Sequence, residues 1–449
     1  MPISVSPISN MIEGGSGNTA VESRMTNEGP RLRDVVCPFC SLACDDLVLS
    51  RTERDGIALV GPECPLARSG YIDAGIDDPS PPRVGGRNTS FQAAVERAAA
   101  LIKESVAPFI AGLATDVDGV REGLALADAC QAAVDHLHGE GLMRQLLPLI
   151  ERGTVQTTLS EMRNRADLVL VFGPDPRRMS PRLFERALPA QGLFLPPQSK
   201  RQVVFIGSEP ELGVPDHLRC EIIPCPSPRI GEVAGALLRA FLKGALPRPD
   251  IAGVPASRLA DLAERMRQAQ YGVLVFAPGL IDVSEGDLAI AAILHLAQEL
   301  NRANRWSALS VAGGDGVVGA SQAMLWQTGL PLRSRFTSAG PHFAPRRLAT
   351  ARALAESDAD LLIWISAFRP TTPPDTERPI IALTHPETKF RPEPEVVIPV
   401  GVPGVDHGGA TFRTDGVVAL PLQSLRSSAR PSTAAALASI RRALSATPG

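Results

Sequence analysis

Arg165-Ala-Asp-Leu-Val-Leu-Val-Phe-Gly-Pro-Asp-Pro-Arg-Arg178 sets an acid ahead of an unbroken apolar run that opens into a Gly/Pro loop. Ser357-Asp-Ala-Asp-Leu-Leu-Ile-Trp-Ile-Ser-Ala-Phe-Arg-Pro370 repeats the arrangement. Continuous rather than alternating apolarity is the mark of a strand covered on both faces, as in a parallel sheet. Phe109 to Leu113 and Val273 to Ala277 read the same way as Leu168 to Gly173 and Leu361 to Ser366. Between them lie helical stretches: Gly119 to Ala133 behind Asp116 and Asp118 as caps, Ile230 to Lys243, and Glu285 to Asn301 behind Ser284. Strand and helix alternate, which gives α/β layers of the doubly wound kind. Ligands in such sheets lie beyond the carboxyl ends of strands, so Gly173 to Arg178 and Ser366 to Pro370 are candidate binding loops, or plain strand exits.

At 449 residues the chain needs more than one core. With 44% hydrophobic and 21% charged residues it is globular rather than disordered. A net charge of -3 supplies no basic field for phosphate backbones, so nucleic acid is excluded as the main partner. No run of about 18 apolar residues spans a bilayer and the first 33 residues lack the apolar core of a signal peptide, so the expectation is a cytoplasmic chain with no membrane contact. The expected organisation is a disordered tail at 1–33, a cysteine module at 34–80 and a discontinuous α/β lobe from 81–157 and 262–395. A second lobe at 158–261 and a terminal piece at 396–449 complete it. That last piece reads as a strand at Val396 to Val400, a glycine-rich stretch from Gly401 to Gly416 and a helix near Thr433 to Leu444. Proline clusters at 195–197, 246–249 and 370–379 mark surface connections.

Four of the seven cysteines fall between residues 37 and 64. Cys37, Cys40 and Cys44 are spaced C-x2-C-x3-C, and Cys64 follows a hairpin expected from Leu47 to Ser50 and Ile57 to Val60. Four thiolates at this spacing suit a [4Fe-4S] cluster or a tetrahedral zinc. The spacing departs from the paired C-x2-C of zinc ribbons. Four reduced thiols packed as small hydrophobes, with no metal, is the third reading. Cys130 reads as core, and Cys220 and Cys225 straddle a strand with no third ligand. His136 and His138 read as a chance pair on a strand. Ala312 to Gly316 is glycine-rich without the spacing or lysine of a phosphate loop.

Four blocks in order carry a resemblance: CPFCSLACDDLVL with the later Cys64, TLSEMRNRADLVLVFGPDPRRMSPR (Thr158 to Arg182), LWQTGLPLRSRF (Leu325 to Phe336) and GGATFRTDGV (Gly408 to Val417). Together they resemble the family of formylmethanofuran dehydrogenase B subunits, over nearly the whole chain from about residue 35. The resemblance implies a molybdopterin oxidoreductase fold: a small cysteine-rich module and two Rossmann-like lobes. It implies that Cys37, Cys40, Cys44 and Cys64 hold a [4Fe-4S] cluster. It also implies that Gly173, Asp175 and Pro176, with Gln327 and Gly329, face a tungsten or molybdenum pterin. In the family a metal-binding cysteine or selenocysteine precedes a His-Gly pair, whereas Asp135-His-Leu-His-Gly-Glu140 puts Leu137 there. Leucine has no donor atom. The lost ligand is similar to the bacterial formyltransferase/hydrolase complex, whose B subunit does no redox chemistry while partner amidohydrolase, formyltransferase and C subunits act on the formyl group. The resemblance thus implies a non-redox scaffold without bound pterin. The alternative it leaves is a redox-active pterin subunit wired by the cluster.

Overall fold

The computed structural model describes residues 31–52, 56–75 and 80–446. The expected tail lies outside these residues except for Arg31 to Arg33, which open a strand, Arg31–Val35. That strand joins Leu47–Arg51 and Ile57–Gly61 in an antiparallel sheet under the cysteine loop. The hairpin is therefore where the sequence places it, with one further strand on its outer side.

The two quoted runs are central strands of two different sheets. Leu168–Gly173 lies in an all-parallel five-stranded sheet, between Arg201–Gly207 and Gly272–Phe276, with Leu218–Pro224 and Trp306–Ser310 at the edges. Taken in chain order, the strands run 3-2-1-4-5, the Rossmann arrangement, with its reversal between Leu168–Gly173 and Gly272–Phe276. Leu361–Ser366 lies in a nine-stranded sheet whose parallel centre is Ala133–Val134, Pro108–Ala114, Leu361–Ser366, Ile380–Thr384 and Val396–Pro399. That centre runs 2-1-3-4-5, the flavodoxin-like arrangement, and reverses between Pro108–Ala114 and Leu361–Ser366. Short antiparallel pairs close both edges of the nine-stranded sheet.

This partition corrects the expected boundaries. The strand at Val273 pairs with Leu168–Gly173, and Trp306–Ser310 pairs beside it, so 262–310 belongs with the second lobe rather than the first. The terminal piece is not separate: Val396–Pro399 is a strand of the nine-stranded sheet, and the helix Thr433–Ser445 packs on Phe91–Glu104 and Val117–Cys130. Apolar periodicity marks a strand but not which parallel neighbour it takes.

Helix ends follow local chemistry. The helix expected from Gly119 runs Val117–Cys130 and stops because Gln131 turns left-handed (φ 56). Asp116 stands at its N-cap, yet its side chain accepts from Thr115 instead of from the helix. Glu285, not Ser284, precedes the helix Gly286–Ala303. Cys130 is half-buried against the core, Cys220 is exposed on its strand and Cys225 is buried just past it. Among the described residues no helix is long and apolar enough to cross a membrane.

Candidate functional site: a cleft between the lobes and the cysteine module

Both sheets point their strand ends toward one place. The loop after Trp306–Ser310 leaves the Rossmann lobe and crosses to the reversal point of the other. Gly316 (φ 77) sits so close to it that a Cβ would lie 2.3 Å from the Thr115 carbonyl oxygen and 3.4 Å from the Phe368 ring. Only a residue that tolerates positive φ and has no side chain fits there. The glycines of 312–316 thus serve lobe contact, and the loop is not a phosphate cradle.

A cleft of about 220 Å³ opens beside this loop, lined by Leu137, His138, Met179, Pro278, Gly279 and Val311 among others. Leu137 is placed by its backbone N-H, which donates to the Gly112 carbonyl oxygen at 2.7 Å. Across the cleft the lobes meet at Gly141, where a Cβ would come within 2.7 Å of Gly279 Cα.

His136 and His138 are not a strand pair, since the strand ends at Val134. Both hold Asp315: His138 Nε2 lies 2.9 Å from its carboxylate and His136 Nε2 lies 3.0 Å from its carbonyl oxygen. Arg369, at the exit of Leu361–Ser366, stands 3.8 Å from the same carboxylate and also donates to the Phe39 carbonyl inside the cysteine loop. Burial pushes the Asp315 carboxyl up, but the His138 hydrogen bond and the Arg369 charge outweigh it and hold the group below its usual range. The sequence separates these partners by 177 residues, so no local signal could have joined them.

Burial drives His136 down to about 3, with the His138 charge adding to it, and burial drives His385 down to about 4. A histidine kept neutral in the fold takes up a proton on unfolding once pH drops below about 6.5, so its stabilisation is full above that pH and is lost as pH falls toward the folded value. Denaturation midpoints should therefore fall between about pH 6.5 and pH 4. His136→Gln should remove up to about 1.4 kcal/mol per pH unit of that slope. An unchanged slope in the variant contradicts this assignment.

The sequence-derived pterin positions are not gathered at the cleft. Gly173 (φ 87) ends its strand against Ile281 and Ile230, and Pro176 is buried. Asp175 is fully buried and occupied: it pairs with Arg177 at 2.7 Å and accepts the backbone N-H groups of Arg177 and Glu211. Arg177 in turn donates to the carbonyls of Leu212 and Gly213, so this loop fastens its neighbour. Gln327 and Gly329 are exposed at the far end of the helix Val317–Thr328, about 15 Å along its axis from the cleft-lining Val317.

The four module cysteines are all buried in one core cluster. Cys37 N-H donates to the Cys44 carbonyl at 2.8 Å and closes the loop, while Cys64 caps the helix Pro65–Asp73. Burial first, then the neighbouring thiols, raise Cys37 and push Cys44 to about 12, against the charges of Arg182 and Arg186. Burial raises Cys40 as well, against Arg369. Such thiols ionise only with a cation to receive them. Among the described residues no three His, Cys, Asp or Glu side chains stand together as a metal site. The donor set still fits a thiolate-ligated group. It is all sulfur, screened from water and flanked by arginines, and in the same core cluster the buried Tyr71 hydroxyl has no hydrogen-bond partner among the described residues.

No protein-family model matches the chain. Among curated proteins, the B subunit of the formyltransferase/hydrolase complex of Methylorubrum extorquens is 32% identical over 346 residues, 75% of this chain and 89% of that one. The B subunit of the tungsten-containing formylmethanofuran dehydrogenase 2 of Methanocaldococcus jannaschii is 25% identical over 406 residues, 86% and 92% of the two chains. Among solved structures, a chain of the formyltransferase/hydrolase complex from M. extorquens, determined with methylofuran, superposes with a TM-score of 0.68 at 29% identity. It covers 81% of this chain and 98% of that one. Acetylene hydratase from Pelobacter acetylenicus shares the α/β fold alone, with a TM-score of 0.61 at 9% identity over 92% of this chain and 70% of that one. The chain belongs to the family of formylmethanofuran dehydrogenase and formyltransferase/hydrolase complex B subunits.

Proposed function

We propose that this chain is the B subunit of a formyltransferase/hydrolase complex in tetrahydromethanopterin-linked one-carbon metabolism, in which a formyl group ends as formate, and that it works there as a scaffold without redox turnover. Likeness to the M. extorquens protein supports the complex, with amidohydrolase, formyltransferase and C subunits as partners. We propose, too, that its lobes are of the molybdopterin oxidoreductase type and that it acts in the cytoplasm.

The observation that carries the scaffold reading is Leu137. Its isobutyl group lines the cleft at the position where the family's metal-binding cysteine is expected. Two further features argue against a pterin. Asp175 is consumed by Arg177, and Gln327 and Gly329 lie elsewhere. The residues present do not fit the pterin metal.

The cysteine quartet is a separate matter, and a [4Fe-4S] cluster on Cys37, Cys40, Cys44 and Cys64 is the occupant that the spacing favours over zinc. Elemental analysis of the complex purified anaerobically with its own partners tests both statements. The expected result is about four irons per chain, without tungsten or molybdenum. Stoichiometric tungsten or molybdenum overturns the scaffold and favours the redox-active reading; zinc in place of iron overturns the cluster alone.

A further inference from the structure

The five-stranded sheet carries a second pocket, at the edge opposite the cleft. It opens where the strands begin: Asp167 precedes Leu168–Gly173, Lys200 precedes Arg201–Gly207, and Gln270 lies just before Gly272–Phe276. The six residues of Leu168–Gly173 put about 20 Å between this edge and the cleft side. The pocket encloses about 300 Å³, and the proline connection at 195–197 forms part of its wall, with Phe194 at the rim. Phe194 is 53% exposed and holds the Arg165 guanidinium over its ring at 4.4 Å. The remaining wall is cationic. Arg165, Lys200, Arg201 and Arg265 face a single acid, Asp167, whose carboxylate is taken up by the backbone N-H groups of Gln270 and Tyr271 at 2.8 and 3.0 Å. Arg165 pairs with Glu161 and Arg265 with Glu221, each at 2.7 Å. Among the described residues neither Lys200 nor Arg201 pairs with a carboxylate: Lys200 reaches the Asp216 carbonyl, and Arg201 donates to the carbonyls of Met162, Arg163, Ala166 and Pro189. Arg201 thereby caps the end of the helix Leu159–Arg165, but a helix end brings only partial negative charge. It is 2% exposed, and buried guanidinium groups ordinarily have a carboxylate. Burial, with the Arg163 charge beside it, pulls Arg201 down to about 10.

From this we infer that the pocket binds a small organic oxyanion, a carboxylate or phosphate ester whose charged end meets Lys200 and Arg201 and whose apolar part lies on Phe194. Walls of one sign of charge concentrate counter-ions. The aromatic face at the rim then favours anions with an apolar body over bare ones. The site is separate from the cleft and from the cysteine module, and it stands whatever either of those holds.

Calorimetric titration of the full-length chain with phenyl phosphate, benzoate, inorganic phosphate and neutral benzyl alcohol tests it. Phenyl phosphate and benzoate share a ring, so the tighter of the two identifies the charged end. That ligand should saturate one site per chain with a Kd at or below about 1 mM, and benzyl alcohol should bind at least about tenfold more weakly. Lys200 is exposed, so Lys200→Glu should leave the melting temperature of the free protein where it is and weaken the oxyanion by about tenfold. Phe194→Ser should weaken the ring-bearing oxyanion and leave inorganic phosphate unchanged. No saturable binding by the wild-type chain overturns the inference, and so does equal affinity in wild type and Lys200→Glu. Benzyl alcohol that binds as tightly as the oxyanion overturns it too, because charge then selects nothing. A second reading needs no variant: the affinity of the wild-type chain should fall as salt rises, and an affinity indifferent to salt removes the cationic wall from the account.

Discussion

Replacing Asp406 with alanine should cost the fold about 3–5 kcal/mol, the usual loss when one member of a buried ion pair is removed and the other is left charged. Asp406 and Arg426 are each 1% exposed and pair at 2.6 Å. The second carboxylate oxygen takes the Val402 N-H at 2.8 Å and lies 3.5 Å from Arg430. Arg426 also donates to the carbonyls of Ala74 and Gly75, at the end of the helix that carries Tyr71. The variant would therefore take from Arg426 and Arg430 a buried carboxylate that both approach, and it would loosen the cysteine module from the nine-stranded lobe. Asp406→Asn keeps the shape and an acceptor and should lose clearly less. Chemical denaturation of both variants checks the pair; a loss below about 1 kcal/mol for the alanine variant would show that the arginines find water.

Gly316→Ala should be nearly as damaging for a different reason. The left-handed backbone at this residue costs an alanine about 1–2 kcal/mol. Forcing its methyl toward the Thr115 carbonyl, with 2.3 Å available, adds about 1–3 kcal/mol of overpacking. Both terms act where the lobes touch, so the expected sum of about 2–5 kcal/mol should come with a shift of the neighbouring Asp315 away from His138. A denaturation midpoint within experimental error of wild type would mean that the 312–316 loop can yield. The same measurement on Gly244→Ala, a left-handed helix terminus with open space around it, isolates the backbone term.

The parts of the fold that were legible in the sequence are those that local chemistry decides. Leu168–Gly173 and Leu361–Ser366 announce themselves because a strand covered on both faces needs apolar residues at every position. The cysteine module is legible because its donors lie within 28 positions, Cys37 to Cys64, and their type fixes their chemistry. Trp306–Ser310 passes unnoticed because two serines interrupt its run, and Ile380–Thr384 because prolines crowd its approach. The boundary at 262 fails because parallel neighbours are chosen by tertiary packing. The cleft was half legible. Leu137 is conspicuous beside its His-Gly pair, but His138 acquires its meaning from Asp315 and Arg369, which reach it from other strand ends. Asp175, Gln327 and Gly329 keep intact motifs, while the contacts they make here are those of a structural clamp and a helix end.

The cysteine module is clasped by the other end of the chain. Val36 N-H donates to the Gln423 side chain 387 residues away, Arg51 reaches the Leu425 carbonyl and Thr414 N-H meets the Ser41 carbonyl. During synthesis at about 5–20 residues per second, that separation amounts to roughly 20–80 seconds in which the thiols have left the ribosome and their cover has not. The segment made first is thus enclosed last. A thiol reagent would meet an open loop on the nascent chain and a covered one afterwards, so the exposure of these cysteines is set by the order of translation.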